Sequence, residues 1–342
     1  MNKHNLRTAI AAAGAMLILI LDGKTALAGA ADGISICLNT LIPSLFPFFI
    51  LSVLLTGALS GQDIPVLHPV AKLCHIPKGA ESLLAIGMLG GYPVGAQNVS
   101  LAHRAGQLTD HQAARMIAFC NNAGPSFIFG ILGYMFSSPI APWLLWGIHM
   151  TSALLVGMVL PDVPEDRSVT PLTKTIHLTD ALAQSVRTMG LVCGWVVLLR
   201  MILSFLQRWF LGMLPLPAEI SSSGILELAN GCLQLSRLDC EGLRFILASA
   251  FLSLGGICVT LQTASVADHI PMHFYFPGKI LQCAISILLS CFAQYVFPIP
   301  LRYSWGTIAA VSSVVLVGIL FSLRYSQKSS SIPATIDVLS FH

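Results

Sequence analysis

Charge is what this sequence has least of. Asp, Glu, Lys and Arg make up 10% of the 342 residues, where a soluble domain carries roughly 25%, while hydrophobic residues make up 55%. Mean hydropathy is +0.79. A water-soluble globular chain is therefore excluded. The net charge of +3 comes without a basic patch interleaved with aromatics, so nucleic acid is not expected as a partner. The nine cysteines include no C-x-x-C pair and fall mostly in apolar runs, which argues against a disulfide framework or a zinc site. Also missing are H-E-x-x-H, a P-loop, a G-x-S-x-G elbow and clustered carboxylates. No metal, no cofactor and no enzymatic activity is expected. His103, Asp110 and His111 are the one trio open to acid–base chemistry, and a polar loop supplies such a trio by composition alone.

What the chain has instead is apolar runs. A span needs about 20 such residues, so the length accommodates about eight to ten passages, some of them partial. The expected fold is all-α, a polytopic helical membrane protein in contact with the lipid bilayer. Residues 6–21 read as a first membrane helix; Ala26-Leu27-Ala28 resembles a signal-peptidase site, and the reading adopted is an uncleaved span. Residues 25–40 place Asp32, Ser35 and Asn39 on one face, the pattern of an interfacial or bundle-lining helix, and 43–59 continue as a separate span framed by Pro43 and Pro47. Spans are also expected at 143–160, 189–210, 275–297 and 305–323, with an amphipathic helix at 177–188. Basic residues near both ends, Lys3 and Arg7, Arg324 and Lys328, put both termini in the cytoplasm.

Two stretches interrupt the apolar pattern alike. LGGYPVGAQNVS (89–100) and LGGICVTLQTAS (254–265) agree at six of twelve positions, where composition gives about one. Each joins an apolar helix to a glycine pair and a polar restart. This predicts two internal repeats, inverted if an odd number of passages separates them, each with interrupted or re-entrant helices. The domain plan is 1–160 for the first repeat with its N-terminal helix, 161–174 for a hydrophilic linker, 175–323 for the second repeat and 324–342 for a polar tail.

In a bilayer, loose backbone groups at a helix break must be received by protein or by a water-filled cavity, so breaks mark sites. The candidate solute-binding residues are accordingly Gly90, Gly91, Tyr92, Pro93, Gln97, Asn98 and Ser100 in the first stretch, and Gly255, Gly256, Gln262 and Ser265 in the second. Asn121, Asn122 and Ser126 flank a third break, NNAGP. Glycine pairs also serve close helix packing, and amides also bond between helices. Three charges are candidates for anion attraction or coupling. Arg115 and Lys279 follow their glycine pairs at similar distances, with snorkelling to water as the alternative; Glu227 lies amid apolar residues.

PSLFPFFILS (43–52), GGYPVGA (90–96), CNNAGPSFIFG (120–130), LELANGC (226–232) and GGICVTLQTAS (255–265) together resemble the sporulation integral membrane protein YlbJ family, also called SpoVV, of the nucleoside-recognition Gate group. The resemblance covers about residues 30–295; Ile257-Cys258-Val259-Thr260 departs from a more polar, His-containing version of the motif. It implies an architecture similar to concentrative nucleoside transporters. It further implies a sporulation membrane protein that moves dipicolinic acid across the outer forespore membrane, alone, as a homo-oligomer or with other sporulation membrane proteins. A nucleoside-like solute and a non-transporting scaffold or assembly factor are the alternatives.

Overall fold

The computed structural model describes residues 3–59, 62, 64–161, 176–267 and 269–297, and every regular element among them is helical. Most of the 161–174 linker, the span expected at 305–323 and the 324–342 tail lie outside the described residues. Six helical stretches are long and apolar enough to cross a membrane. The chain is a multi-pass membrane protein.

Helix α1 (Lys3–Leu21) is followed by α2 (Gly23–Ile36), a π-turn (Cys37–Leu41) and α3 (Ile42–Leu59). Residues 25–40 are helical as expected and, of the two placements open to them, take the bundle-lining one, but they run on into 43–59. Residues Gly23–Leu59 form one helical stretch of 37 residues, about 55 Å long, well over the hydrocarbon thickness. Pro43 and Pro47 are absorbed within it; the π-turn just before Pro43 takes up the irregularity. On this face, which stays exposed, Asp32 Oδ2 accepts from Arg200 Nη2 at 2.6 Å, and Asn39 donates to Ser35 Oγ, four residues back, at 3.0 Å.

The partner of this helix comes much later in the sequence. After α4 (His68–Leu73), α5 (Glu81–Leu89), α6 (Val94–Arg104), α7 (Asp110–Cys120), α8 (Pro125–Phe127) and α9 (Ala141–Val159) comes α10 (Leu178–Trp209), a single helix of 32 residues where an amphipathic piece and a span were expected. It lies antiparallel to α2 and α3. Arg208 pairs with Asp22 and Arg200 with Asp32. Between these pairs Gly29 lies against Met201 and Ser204; beyond the second, Gly33 lies against Val197 and the Cys37 thiol points at the Cys193 carbonyl, 3.8 Å away. Small residues let the two backbones close up, as membrane helices without a hydrophobic drive to associate require.

The remaining helices form a bundle beside this pair. Helices α5 and α6 fold back on each other: Gly87 and Gly95, about 12 Å apart on a straight helix, both touch the Cys120 carbonyl oxygen. Helices α11 (Leu216–Leu226) and α12 (Leu228–Gln234) do the same, with Gly231 resting on Gly224. Each hairpin is followed by an interrupted span. Asp110–Met135 breaks at residues 121–124, and Glu241–Ala267, made of α13 (Glu241–Leu254) and α14 (Gly256–Ala267), breaks at Gly255. Each interrupted span is followed by a continuous one, α9 or α15 (Tyr275–Val296). Thr109 caps α7 through a capping box, accepting from Gln112 N at 3.3 Å while Thr109 N donates to Gln112 Oε1 at 3.0 Å.

The two similar stretches are built into the fold differently. Residues 89–100 are a hairpin tip and its second limb, whereas 254–265 are the break and second half of an interrupted span. The two similar stretches thus occupy different kinds of element. Arg115 is on α7 and Lys279 on α15.

Candidate functional site

All four breaks meet at one junction. Gly91 and Gly124 are in backbone contact, an ideal Cβ on Gly124 falling 3.0 Å from Gly91 Cα. The Tyr92 ring lies against Gly255, and its hydroxyl donates to the Leu252 carbonyl at 3.1 Å. Gly256 in turn abuts the carbonyls of Gly224 and Ile225 at the second hairpin tip. At Gly255 and Gly256 φ is +71° and +74°, a left-handed backbone that glycine adopts without the steric cost a Cβ brings.

The junction is filled by the protein's own polar groups. Asn121 Oδ1 accepts from Ala96 N at 3.2 Å and Asn121 Nδ2 donates to Thr263 Oγ1 at 2.8 Å. Gln282 Nε2 donates to Asn122 Oδ1 at 3.1 Å. Ala123 N donates to His149 Nε2 at 3.0 Å, which leaves the proton of a neutral ring on Nδ1, 3.2 Å from Ser253 Oγ. Ser253, Ser286 and Ser152 continue the chain. Lys279 Nζ donates to the Asn121 carbonyl at 2.6 Å, to Gln282 Oε1 at 2.9 Å and to Tyr92 Oη at 3.3 Å. Each of these residues is buried. A satisfied network of this kind fixes the unwound segments in one arrangement.

Of two cavities, one opens at the junction and the other lies along the first hairpin, toward its open end. One, of about 40 Å³, is bounded by Gly91, Tyr92, Gly124, Glu227 and Gln262 and by apolar side chains of the long pair, Leu41, Phe49 and Val196 among them. It has room for little more than a water molecule. The other, about 570 Å³, lies between the first hairpin and the long pair, lined by Thr56, Ser82, Ile86, Gln97, Asn98, Leu101, Gln107, Asp180, Gln184 and Arg187. That volume is in the range of small-molecule sites.

Gly90, Gly91, Tyr92, Pro93, Gly255 and Gly256 thus stand at the junction, with the amides of Asn121 and Asn122 and buried Ser126 beside them. The N–H of Ala96, one of those an anion would seek at this helix start, is taken by Asn121. Gln97 and Asn98 face the larger cavity, and Gln262 the smaller, its amide donating to Cys258 Sγ. Ser100 and Ser265 line neither: Ser100 meets Arg104, and Ser265, exposed, meets Trp195. Arg115 is 1% exposed and does not snorkel; its guanidinium donates to the carbonyls of Cys74 (2.7 Å), Leu160 (3.3 Å), His75 and Gly157. His103 bonds Asp110 at 2.7 Å, and His111 stacks edge-on against Phe274. The sequence reading passed over His149, Tyr275, Gln282 and Ser286. The available signal was a polar stripe at helical spacing along α15, Lys279, Gln282, Ser286 and Ser290, inside a run taken for a plain span.

Glu227 caps α12, accepting from Ala229 N at 2.9 Å and Asn230 N at 2.5 Å. Glu227→Ala leaves two buried donors without a partner and is expected to lower stability by about 2 kcal/mol. Thermal unfolding of the purified protein in detergent checks this, since a loss of that size lowers the midpoint by roughly 5 °C.

No family model matches the chain, and no solved structure matches it. The chain is similar, at 26% identity over 307 residues and 75% of each chain, to the sporulation integral membrane protein YlbJ of Bacillus subtilis (strain 168).

Proposed function

We propose that this chain is a secondary transporter or permease, not an enzyme, that moves a small anionic solute, and that it acts during sporulation at a forespore membrane. The observation that carries the reading is the 570 Å³ cavity along the first hairpin, whose tip is one of four converging helix breaks. Breaks at membrane depth suit a protein that must bind a polar solute and then let it go, because a few turning residues redirect half-helices without unravelling whole spans. The succession of span, hairpin, interrupted span and span, run twice with three crossings each, supports an inverted repeat, since an odd number turns the second run over. The antiparallel packing of α3 and α10, which open the two runs, agrees with that.

By resemblance the solute is dipicolinate, a planar pyridine with two carboxylates. Arg187 offers one carboxylate a bidentate partner, and Gln97, Asn98 and Gln184 offer uncharged donors to the rest. The test is uptake of labelled dipicolinate into proteoliposomes. Saturable uptake is expected, with Arg187→Ala raising the apparent KM about tenfold, the size of one lost charged contact. Gln97→Ala should raise it severalfold. Saturable flux of a nucleoside but not of dipicolinate would favour the nucleoside reading. No saturable flux of either would leave the scaffold.

A further inference from the structure

Lys279 is 1% exposed, and its hydrogen bonds go to neutral oxygens: a backbone carbonyl where α7 stops, a side-chain amide and a phenol. Two aromatic faces complete the shell, Tyr92 at 5.2 Å and Tyr275 at 5.8 Å from the ammonium. No ion pair to Lys279 occurs among the described residues. Its nearest partners come from three places in the fold, the first hairpin tip, the first interrupted span and α15 itself. A buried charge without a counter-ion is costly unless oxygens and ring faces replace its water. The oxygens assembled here, an unwound carbonyl with amide and hydroxyl oxygens, are those that broken membrane helices offer a monovalent cation.

We propose that Lys279 is a tethered cation: its ammonium occupies a monovalent-cation site at the junction of hairpin tip and interrupted span, so the junction closes without a free sodium or potassium ion. A side chain that merely filled space there would leave no site behind when shortened. A tethered cation would leave one with its oxygen ligands still in place. The readout is thermal unfolding, which requires no flux, so this inference and the transport reading can fail separately.

The experiment compares wild type, Lys279→Ala and Lys279→Met in detergent, in sodium, potassium, methylammonium and choline chloride at equal ionic strength. Wild type is expected to melt at the same temperature in all four. Lys279→Ala should melt roughly 5 °C lower in choline and recover at least half of that loss, saturably, in sodium or methylammonium. Lys279→Met, which loses the charge but still fills the space, should not recover. Lys279→Ser is the second truncation if Lys279→Ala fails to accumulate. Identical melting of the truncated variant in every salt, equal recovery of Lys279→Met, or saturable stabilisation of wild type by sodium would each overturn the proposal.

Discussion

Arg115→Met is expected to lower stability by about 4 kcal/mol, because it leaves a set of buried carbonyls without a donor. The guanidinium reaches the carbonyls of Cys74 and His75, which close α4, and those of Gly157 and Leu160 at the end of α9. Helix ends leave their last carbonyls unpaired, and here one side chain serves two ends at once. His75 makes the site more demanding, since it holds φ at +51°, a left-handed conformation that costs a non-glycine residue about 1 kcal/mol. Arg115 therefore fixes α7, whose C-terminal end carries Cys120 and leads into Asn121. Arg115→Lys should recover less than half of the loss, since a point charge cannot reproduce a planar fork reaching several acceptors. The check is thermal unfolding beside solute uptake per folded molecule. An Arg115 that contacted solute would give the opposite result, an unchanged midpoint with lost uptake.

What was legible in the sequence is whatever is local. The breaks at Gly90-Gly91, Asn121-Asn122 and Gly255-Gly256 could be read because a helix that stops at membrane depth needs residues able to turn and polar groups to receive the loose backbone. The same demand explains why similar stretches occur in different kinds of element. A glycine pair followed by Gln and Ser suits any half-helix that restarts inside a packed site, so it carries no information on whether the element is a hairpin or an interrupted span. The turn at Glu227 escaped notice as a break because a carboxylate caps it in place of a glycine pair.

What was not legible is set by partners far along the chain. Asp32 was open to an interfacial or a bundle-lining reading because Arg200, its partner, is 168 residues away. Arg115 looked like an anion ligand or a snorkelling residue because the carbonyls it satisfies belong to segments 40 to 45 residues away. In both cases the charge identified the residue as important, and only the fold identified the partner.

Gly95→Ala is expected to be strongly disruptive for so small a substitution. A Cβ at Gly95 would land on the Cys120 carbonyl oxygen, and so would one at Gly87 on the opposite limb. The hairpin therefore sits astride one backbone atom at the end of α7. Neither a rotamer change nor a flexible neighbour can make room, so either the hairpin lifts or the end of α7 shifts. Overpacking of this kind costs about 3 kcal/mol when backbone must move, and the consequence is not confined to stability. Lifting the tip carries Tyr92 away from Lys279 and Leu252, and shifting the end of α7 carries Asn121 away from Lys279, Ala96 and Thr263. Uptake should be lost in the fraction that remains folded. Gly190→Ala is the matched control, since a Cβ there meets nothing within 4 Å, and within a helix the exchange should stabilise by up to about 1 kcal/mol. If Gly95→Ala melts and transports like Gly190→Ala, the hairpin is not seated on the Cys120 carbonyl, and the convergence of the four breaks loses its first contact.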